Sequence, residues 1–381
     1  MSVTFPRGYR AAGVVAGLKT SGAADLAVVI NDGPRWEAAG VFTRNRVQAA
    51  PVLWSRQVLI DGTLRAVVLN SGGANACTGP EGFADTHHTA EAAAEALGIG
   101  PIDVAVCSTG LIGERLDMPR LLAGLRQALS VADSDGGDDA ARAIMTTDTV
   151  AKTSTFEAGY RIGGMAKGAG MLAPGMATML SVITTDAVID ARTLDRLLRE
   201  CTATTFDRVD ADGCMSTNDT VIVMASGASG LVADEAFAAG LHSVCADLAR
   251  QLAQDAEGAT KLIDVRVVGA ADDRDAEVAA RAVARSALFK CAMFGEDPNW
   301  GRVLAAVGTT EAAFDPLRID VSINGVMVCR DSGPGEPRDG VDLSAREVEV
   351  VVDLHAGNGT ATIVTTDLTT DYVHENSAYS T

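Results

Sequence analysis

The sequence predicts a mixed α+β fold, and two observations favour it over a doubly wound parallel sheet. Strand-like runs do not alternate strictly with single helices, and both ends of the chain hold more of these runs than the middle. A doubly wound sheet requires that regular alternation. With 381 residues, 47% of them hydrophobic and 21% charged, the chain is long and apolar enough for two or three packed units of a globular protein.

The strands are predicted where short apolar runs rich in β-branched residues occur. These runs lie at 26–30, 66–70, 104–107, 178–184, 220–225, 262–268, 319–323, 348–352 and 361–365. Helices are predicted between many of them, and several open with an aspartate that can cap free amide groups. The predicted helices lie at 84–97, 118–129, 138–145, 190–205, 234–255 and 275–293.

Charge, cysteine and histidine usage narrow the class of protein. A net charge of −19 without a basic run argues against a nucleic-acid partner. The seven cysteines are scattered singly, which is typical of a reduced, cytoplasmic setting. His87 and His88 are adjacent and cannot share one helical face, so we expect no metal site. The apolar run at 11–18 resembles a signal peptide only faintly, because Lys19 closes it early, and we expect no membrane span.

The most informative segment is Lys167-Gly-Ala-Gly-Met-Leu-Ala-Pro-Gly-Met-Ala-Thr-Met-Leu180, which sets a glycine- and proline-rich run before the bond between Ala177 and Thr178. A threonine hydroxyl can attack the preceding carbonyl through a five-membered ring, and hydrolysis of the resulting ester frees an amino-terminal threonine. The new α-amine then serves as the base for its own hydroxyl. On local chemistry alone, a plain loop that leads into a strand is the better interpretation.

The same segment formally matches a dinucleotide fingerprint, Gly168-Ala-Gly170-Met-Leu-Ala173, after a strand-like run at 160–165. The helix that should follow is missing, because Pro174 and Gly175 would break its first turn and leave no helix amino terminus for a pyrophosphate. A nicotinamide-dependent enzyme is therefore only a weak alternative.

Further motifs extend over almost the whole chain. They are Phe42-Thr-Arg-Asn-Arg46, Asn70-Ser-Gly-Gly-Ala-Asn-Ala76, Ser108-Thr-Gly-Leu-Ile-Gly113, Ala143-Ile-Met-Thr-Thr-Asp-Thr149, Asp255-Ala-Glu-Gly258, Asp297-Pro-Asn-Trp-Gly-Arg302 and Glu375-Asn-Ser-Ala-Tyr-Ser-Thr381. Together with Lys-Gly-x-Gly-Met and Pro-x-Met-Ala-Thr-Met-Leu, they resemble the ornithine acetyltransferase family, also called bifunctional glutamate N-acetyltransferases, of the cyclic arginine pathway.

The resemblance implies an architecture as well as an activity. Helices should flank stacked mixed sheets in a DmpA-like arrangement, with a smaller carboxy-terminal α/β unit from about residue 260. Autocatalytic cleavage between Ala177 and Thr178 should give an alpha chain, 1–177, and a beta chain, 178–381. The family implies that two copies of each chain associate as a heterotetramer.

The implied reaction is ping-pong acetyl transfer from N2-acetylornithine to glutamate through an ester of Thr178. By resemblance, Thr109 and Gly110 supply the oxyanion hole, and Glu257 is the acidic active-site residue. The residues implied for substrate binding are Thr146, Lys167, Thr178, Glu257, Asn376 and Thr381. No cofactor is expected, and the use of acetyl-CoA as a second donor stays open. As bare residues, Lys167 would be a surface lysine and Thr109-Gly110 a turn that ends a strand.

Other functions remain open at this point. An amino-terminal-nucleophile aminopeptidase or amidohydrolase shares self-cleavage, but water instead of an amine would resolve its acyl-enzyme. A non-enzymatic binding module would keep an intact chain. Glu257 could hold a substrate amine or transfer protons. Gly175 stands where the family often has Asn, and we expect cleavage to persist because glycine keeps left-handed backbone conformations accessible.

Overall fold

The computed structural model describes residues 2–173 and 179–378. Its strands are β1 (Tyr9–Val14), β2 (Leu26–Asn31), β3 (Glu37–Phe42), β4 (Ala66–Asn70), β5 (Val104–Ser108), β6 (Lys152–Ala158), β7 (Tyr160–Lys167), β8 (Leu180–Thr185), β9 (Thr220–Ala225), β10 (Leu262–Ala270), β11 (Asp320–Ile323), β12 (Val326–Arg330), β13 (Gly333–Pro334), β14 (Glu347–Asp353) and β15 (Gly359–Thr366). Its helices are α1 (Ala50–Val58), α2 (Gly79–Leu97), α3 (Met118–Val131), α4 (Gly137–Ala143), α5 (Ala191–Thr204), α6 (Glu235–Gln254), α7 (Asp273–Ala284), α8 (Ala287–Phe294), α9 (Trp300–Val307) and α10 (Thr370–Ala378).

These strands form three mixed sheets. The strand orders are β1-β2-β4-β5, β3-β9-β8-β7-β6 and β13-β12-β11-β14-β10-β15. Each sheet has one parallel pair, β4 with β5, β8 with β9 or β10 with β14, among antiparallel neighbours. A doubly wound sheet would be mostly parallel, so the predicted α+β class is confirmed.

The first two sheets pack on each other, and helices cover them. Val28 and Val68 of the first sheet share one buried core with Val182 and Ile222 of the second. Ile183, next along β8, lies instead in a separate core with residues of α5 and α6. Side chains alternate between the two faces of a strand, so β8 presents one face to the other sheet and one to helices. Because α2 and α3 pack against the first sheet, helices flank stacked sheets as predicted.

The third sheet has a core of its own. Val265, Val350 and Ile363 pack there with Ala280 of α7 and Phe289 of α8. This core begins at Ile263, close to the start of the smaller carboxy-terminal unit that the family resemblance implies. Within the described ranges, no helix is long and apolar enough to cross a membrane.

Several predicted elements need correction. The single helix predicted at 275–293 is two helices, since α7 ends at Ala284 and Ser286 caps the start of α8 by accepting the Phe289 N–H. The run at 11–18 contributes to strand β1. The motif Asp297-Pro-Asn-Trp-Gly-Arg302, to which no helix was assigned, contains the start of α9 at Trp300, and Asn299 caps that helix. By contrast, Asp190 and Asp234 cap α5 and α6 as expected.

Candidate active site

The predicted nucleophile belongs to the connection between two neighbouring strands of the second sheet. Strand β7 ends at Lys167, and its antiparallel partner β8 begins at Leu180. Pro174 to Thr178 lie outside the described residues, and so does Thr381. The predictions for Ala177, Thr178 and Thr381 therefore stay predictions, while the groups on either side of the segment are described.

Lys167 is buried. Its side chain is on the last residue of β7 and its residue is only 1% exposed. The ammonium Nζ donates a hydrogen bond to Thr109 Oγ1 at 3.2 Å. The interpretation of Lys167 as a surface lysine is thus wrong, and two residues named by the resemblance, 58 positions apart, lie in contact.

Thr109 directly follows β5 and pairs with Gly73 in an isolated bridge, and the chain bends at Gly110. The Thr109 N–H donates to Asn70 O, and Thr109 O accepts the Gly73 N–H, both at 3.0 Å. Gly110 has φ +125, and a Cβ at this position would meet the Gly73 nitrogen at 2.7 Å. Only glycine fits such a position without strain. These backbone contacts fix the position of the Thr109 hydroxyl that Lys167 reaches, and the oxyanion-hole role of Thr109 and Gly110 stays a prediction.

A buried carboxylate, Asp148, organises the residues next to Lys167. Its Oδ1 accepts the Gly168 N–H at 2.6 Å and the Lys152 ammonium at 2.6 Å. Its Oδ2 accepts the N–H of Thr146 at 2.9 Å. Burial alone would raise the pKa of Asp148, but the charges of Lys167 and Lys152 and the Gly168 N–H lower it to about 2. Burial lowers the pKa of Lys167, and the negative charge of Asp148 opposes that shift in part.

Lys152 links this carboxylate to the end of helix α6. Its side chain is fully buried, and Nζ lies 2.6 Å from both Asp148 Oδ1 and Asp255 Oδ2. Asp255 also accepts the Thr149 N–H at 2.9 Å. The sequence reasoning missed Asp148 and Lys152. The available signal was the run Thr146-Thr-Asp-Thr149, in which it singled out only Thr146.

Glu257 lies against the glycine-rich segment. Its N–H donates to Ala169 O at 3.0 Å. Its carboxylate accepts the Thr147 hydroxyl at 2.8 Å on Oε1 and the Asn376 amide at 3.0 Å on Oε2. A Cβ at Gly170 would come within 2.5 Å of Glu257 Oε2. Two predicted site residues, Glu257 and Asn376, are therefore in direct contact, although they are 119 positions apart.

A cavity of about 730 Å³ opens beside this carboxylate. Its lining includes Thr147, Glu257, Asn376 and Arg346. This volume suffices for a small amino-acid derivative. A larger cleft, about 1140 Å³, lies between β3, α1 and α5, and none of the predicted site residues that the structure describes lines it. The smaller cavity is lined by two of them, Glu257 and Asn376, whereas Thr109, Thr146 and Lys167 are not among its lining residues.

Asp219 is a second buried carboxyl group that the sequence reasoning assigned no chemical role. It follows the polar loop 212–218 and directly precedes β9. Its Oδ1 accepts the N–H of Met179, the residue after Thr178, at 3.1 Å. Burial raises the pKa of Asp219 well above its usual range, against the opposing effects of the Met179 N–H and the Lys167 charge.

The geometry does not favour the dinucleotide alternative. A pyrophosphate needs free N–H groups at the start of a helix. Here the Gly168 N–H is already bound by the carboxylate of Asp148, and the described residues after it, up to 173, are not helical. An ionised carboxylate at that place repels phosphate.

The described groups fit acyl transfer to an amine. Such a reaction needs hydrogen-bond donors for an oxyanion, a cation for a substrate carboxylate and an acidic residue for the amine. Thr109, Lys167 and Glu257 are groups of these three kinds, and they lie around the segment that holds the predicted nucleophile. Fold and site together define an acyltransferase.

Comparison with known proteins identifies the group of acyltransferases. The ArgJ family matches residues 10–381, and the chain belongs to this family. It is 63% identical to the arginine biosynthesis bifunctional protein ArgJ of Thermobifida fusca, over 100% of both chains. The Mycobacterium tuberculosis protein of the same name is 58% identical, over 99% of this chain and 96% of its own length. The protein is accordingly an acetyltransferase of arginine biosynthesis.

Solved structures of relatives match parts of the chain. The ornithine acetyltransferase of Mycobacterium tuberculosis, complexed with ornithine, is 61% identical and covers 47% of this chain and 96% of its own, with a TM-score of 0.45. The Bacillus halodurans bifunctional protein is 39% identical and covers 51% of this chain and 97% of its own, with a TM-score of 0.48.

Proposed function

We propose that the protein transfers an acetyl group from N2-acetylornithine to glutamate through an acetyl ester of Thr178. Ornithine leaves after the first half-reaction, and glutamate then attacks the ester and departs as N-acetylglutamate. The observation that carries this proposal is the buried contact between Lys167 Nζ and Thr109 Oγ1 at 3.2 Å. It places a cation and a hydroxyl at the base of the segment that leads to Thr178.

Thr178 becomes the nucleophile by cleavage of the bond that precedes it. Its hydroxyl attacks the carbonyl of Ala177, and hydrolysis of the ester frees the α-amine, which serves as the base in acetyl transfer. Thr109 and the backbone N–H of Gly110 stabilise the tetrahedral oxyanion. Each preorganised donor of this kind is worth about 3 kcal/mol of transition-state stabilisation.

Both amino-acid substrates carry an α-carboxylate and pass through the same pocket. Lys167 supplies the positive charge for this carboxylate, and Thr146, Asn376 and Thr381 supply hydrogen bonds. Glu257 holds the substrate amine in this scheme. Its contacts with Thr147 and Asn376 keep the carboxylate fixed before substrate enters.

The two chains that result, 1–177 and 178–381, stay associated. Support comes from the second sheet, because β7 belongs to the first chain and β8 to the second, and the two strands are paired along their length. The site also draws on both chains, since Lys167 precedes the cleavage point and Glu257 follows it. We further propose two copies of each chain in the assembly, a cytoplasmic location, no cofactor, and acetyl-CoA as an additional donor.

The test is an acetyl-transfer assay with purified protein. N-acetylornithine and glutamate should yield ornithine and N-acetylglutamate in equal amounts, and acetyl-CoA with glutamate should yield N-acetylglutamate. Intact-mass measurement should give two fragments, 1–177 and 178–381. An uncut chain with full activity would contradict the mechanism.

The product distinguishes the alternative class. An amidohydrolase resolves its acyl-enzyme with water, so N-acetylornithine would yield free acetate at the same rate with or without glutamate. Acetate release that is independent of glutamate, with no N-acetylglutamate formed, would replace the proposal by that function.

A further inference from the structure

A carboxyl group that the mechanism above does not use holds the peptide that follows Thr178. Asp219 Oδ1 accepts the Met179 N–H at 3.1 Å. Both residues are buried, with Met179 1% and Asp219 0% exposed. Since Met179 comes directly after Thr178, this hydrogen bond fixes the main chain on the carboxyl side of the predicted nucleophile.

Two further backbone hydrogen bonds hold Met179 and Asp219 in place. The Thr220 N–H donates to Met179 O at 3.1 Å, while Asp219 O accepts the Thr43 N–H at 2.9 Å. Strands β8 and β9 run parallel from Leu180 and Thr220, which are partners in register. Residues 179 and 219 therefore stand at the same end of the two strands, and strand β9 carries the group that holds Met179.

Other groups also face this carboxyl group. The side chains of Ser216 and Thr43 interact with it, and together with the Met179 N–H and the charge of Lys167 they oppose the effect of burial on its pKa.

We propose that Asp219 is a positioning residue for the cleavage at Ala177-Thr178, acting through the Met179 N–H. The inference rests on the proposed function, because it concerns the step that creates the nucleophile. The geometric basis is that the carboxyl oxygen of Asp219 accepts the N–H of the residue that follows Thr178, and so holds the main chain next to the bond that is cut.

Asp219 takes no part in the bond changes and proton transfers of the cleavage step. Thr178 Oγ forms a bond to the carbonyl carbon of Ala177 and gives its proton to a base, and the C–N bond breaks as the Thr178 nitrogen takes up a proton. Water then adds to the ester carbon, the C–O bond breaks, and the proton returns to Oγ. Asp219 limits the motion of the chain after Thr178, which keeps Oγ within reach of the carbonyl carbon.

The experiment compares Asp219→Ala and Asp219→Asn with the wild type. Each precursor is refolded from denaturant, and intact mass follows the fraction cut with time. Asp219→Asn keeps an acceptor oxygen for the Met179 N–H, so it should cut within about threefold of the wild-type rate. Asp219→Ala removes the acceptor and should cut at least about tenfold more slowly, as expected for a lost hydrogen bond worth about 1.4 kcal/mol. Circular dichroism on the uncut precursor checks that it is folded.

Asp210→Ala is the matched control. Asp210 is also a buried carboxylate, 1% exposed, with one oxygen that lacks a partner among the described residues. Its ion pairs are with Arg281 and Arg285 instead of a contact to Met179. This variant should lose stability but cut at the wild-type rate. If Asp219→Ala does not fold, Asp219→Ser, whose side chain is one atom shorter, carries the same expectation.

The outcomes separate this inference from the proposed function. Wild-type cleavage in Asp219→Ala overturns the role of Asp219 and leaves the proposed function intact. If Asp219→Asn slows cleavage as much as Asp219→Ala, the role of Asp219 is overturned too, because an acceptor oxygen for the Met179 N–H would then have no effect on cleavage. A wild-type chain that is never cut overturns both.

Discussion

Asn376 donates a hydrogen bond to Glu257 Oε2 at 3.0 Å, and this contact joins the last helix of the chain to the end of α6. The other oxygen of Glu257 accepts the Thr147 hydroxyl at 2.8 Å. Both oxygens are therefore held by neutral donors, which leaves the negative charge available for a substrate ammonium. The carboxylate is thus positioned from both the amino-terminal and the carboxy-terminal part of the chain.

Gly170→Ala tests the contact between the glycine-rich segment and this carboxylate. The added Cβ would meet the Glu257 carboxylate within 2.5–2.6 Å, so the side chain of Glu257 has to move. We expect kcat/KM for N-acetylornithine to fall about tenfold or more, because such displacement costs at least about 1.4 kcal/mol. Steady-state kinetics on cleaved protein measure it. Gly340→Ala is the control, since its Cβ would meet nothing within 4 Å; equal losses in both variants would contradict the prediction.

Lys167→Met tests the buried cation while keeping an unbranched side chain. Removing a charge that pairs with a substrate carboxylate costs roughly 2 to 5 kcal/mol, or about 30-fold to several thousand-fold in kcat/KM. The protein should stay folded by circular dichroism. Arg161→Met is the control on the same strand, because Arg161 pairs at the surface with Glu157 at 3.0 Å. Unchanged transfer kinetics in Lys167→Met would remove Lys167 from the site.

Lys152→Met tests the buried link between Asp148 and Asp255. It leaves two carboxylates without their shared cation, and breaking a buried pair in this way costs about 3–5 kcal/mol. We expect a lower midpoint in chemical denaturation and slower acetyl transfer. Arg196→Met removes an exposed cation of α5 that pairs with Glu200, and exposed pairs contribute at most about 1 kcal/mol. Similar stability losses in the two variants would show that Lys152 is not a structural link.

Asp148 gives a pH dependence whose sign follows from its pKa. The folded value, about 2, is below the usual 3.8. The ionised group therefore contributes stability that is fully present above about pH 4 and is lost as the pH falls towards 2. The contribution is on the order of 2 kcal/mol at neutral pH. Asp148→Asn should lower the thermal midpoint at pH 7, and its difference from wild type should shrink between pH 5 and pH 3.

Asp219 supplies the comparison of opposite sign. Its folded pKa is raised, so the folded protein keeps a proton that the unfolded chain releases above about pH 4. The wild-type protein therefore loses stability as the pH rises towards the folded pKa, whereas Asp219→Asn has no group that titrates there. The thermal midpoint of Asp219→Asn, measured relative to that of the wild type, should rise from pH 5 to pH 8. A difference that does not change with pH in either variant would contradict the assigned shifts.

The sequence predicted the strands best where both faces are buried. The runs at 66–70 and 220–225 match β4 and β9 at both ends, because every residue of these strands is buried and apolar runs are the available signal. Helix α10 was not predicted, since it has no buried residue and thus no apolar period. Strand β6 was not predicted either. It begins with Lys152, whose burial depends on charge partners from elsewhere in the chain.

Only those site residues that the family resemblance names were predicted from the sequence. The resemblance named Lys167, Thr109, Glu257 and Asn376, and the structure brings them into two contacting pairs. Asp148 was missed because a buried carboxylate with depressed pKa looks, in the sequence, like any exposed aspartate. What distinguishes it is the set of partners that the fold supplies, and no local pattern encodes those.

The carboxy terminus is the last part of the predicted site to test. Chain ends normally tolerate trimming, but Asn376 of the final helix contacts Glu257, and Thr381 ends the motif that begins at Glu375. Deleting Ser380 and Thr381 removes no residue of α10 as the structure describes it, Thr370–Ala378. We expect cleavage at Thr178 to continue, since it depends on residues around β7 and β8, while acetyl transfer falls at least about tenfold through loss of one substrate hydrogen bond of about 1.5 kcal/mol or more. Intact mass and transfer kinetics on the same sample separate the two effects. A Thr381→Val variant at full length is the companion, because it removes only the hydroxyl; wild-type transfer in both proteins would take Thr381 out of the site.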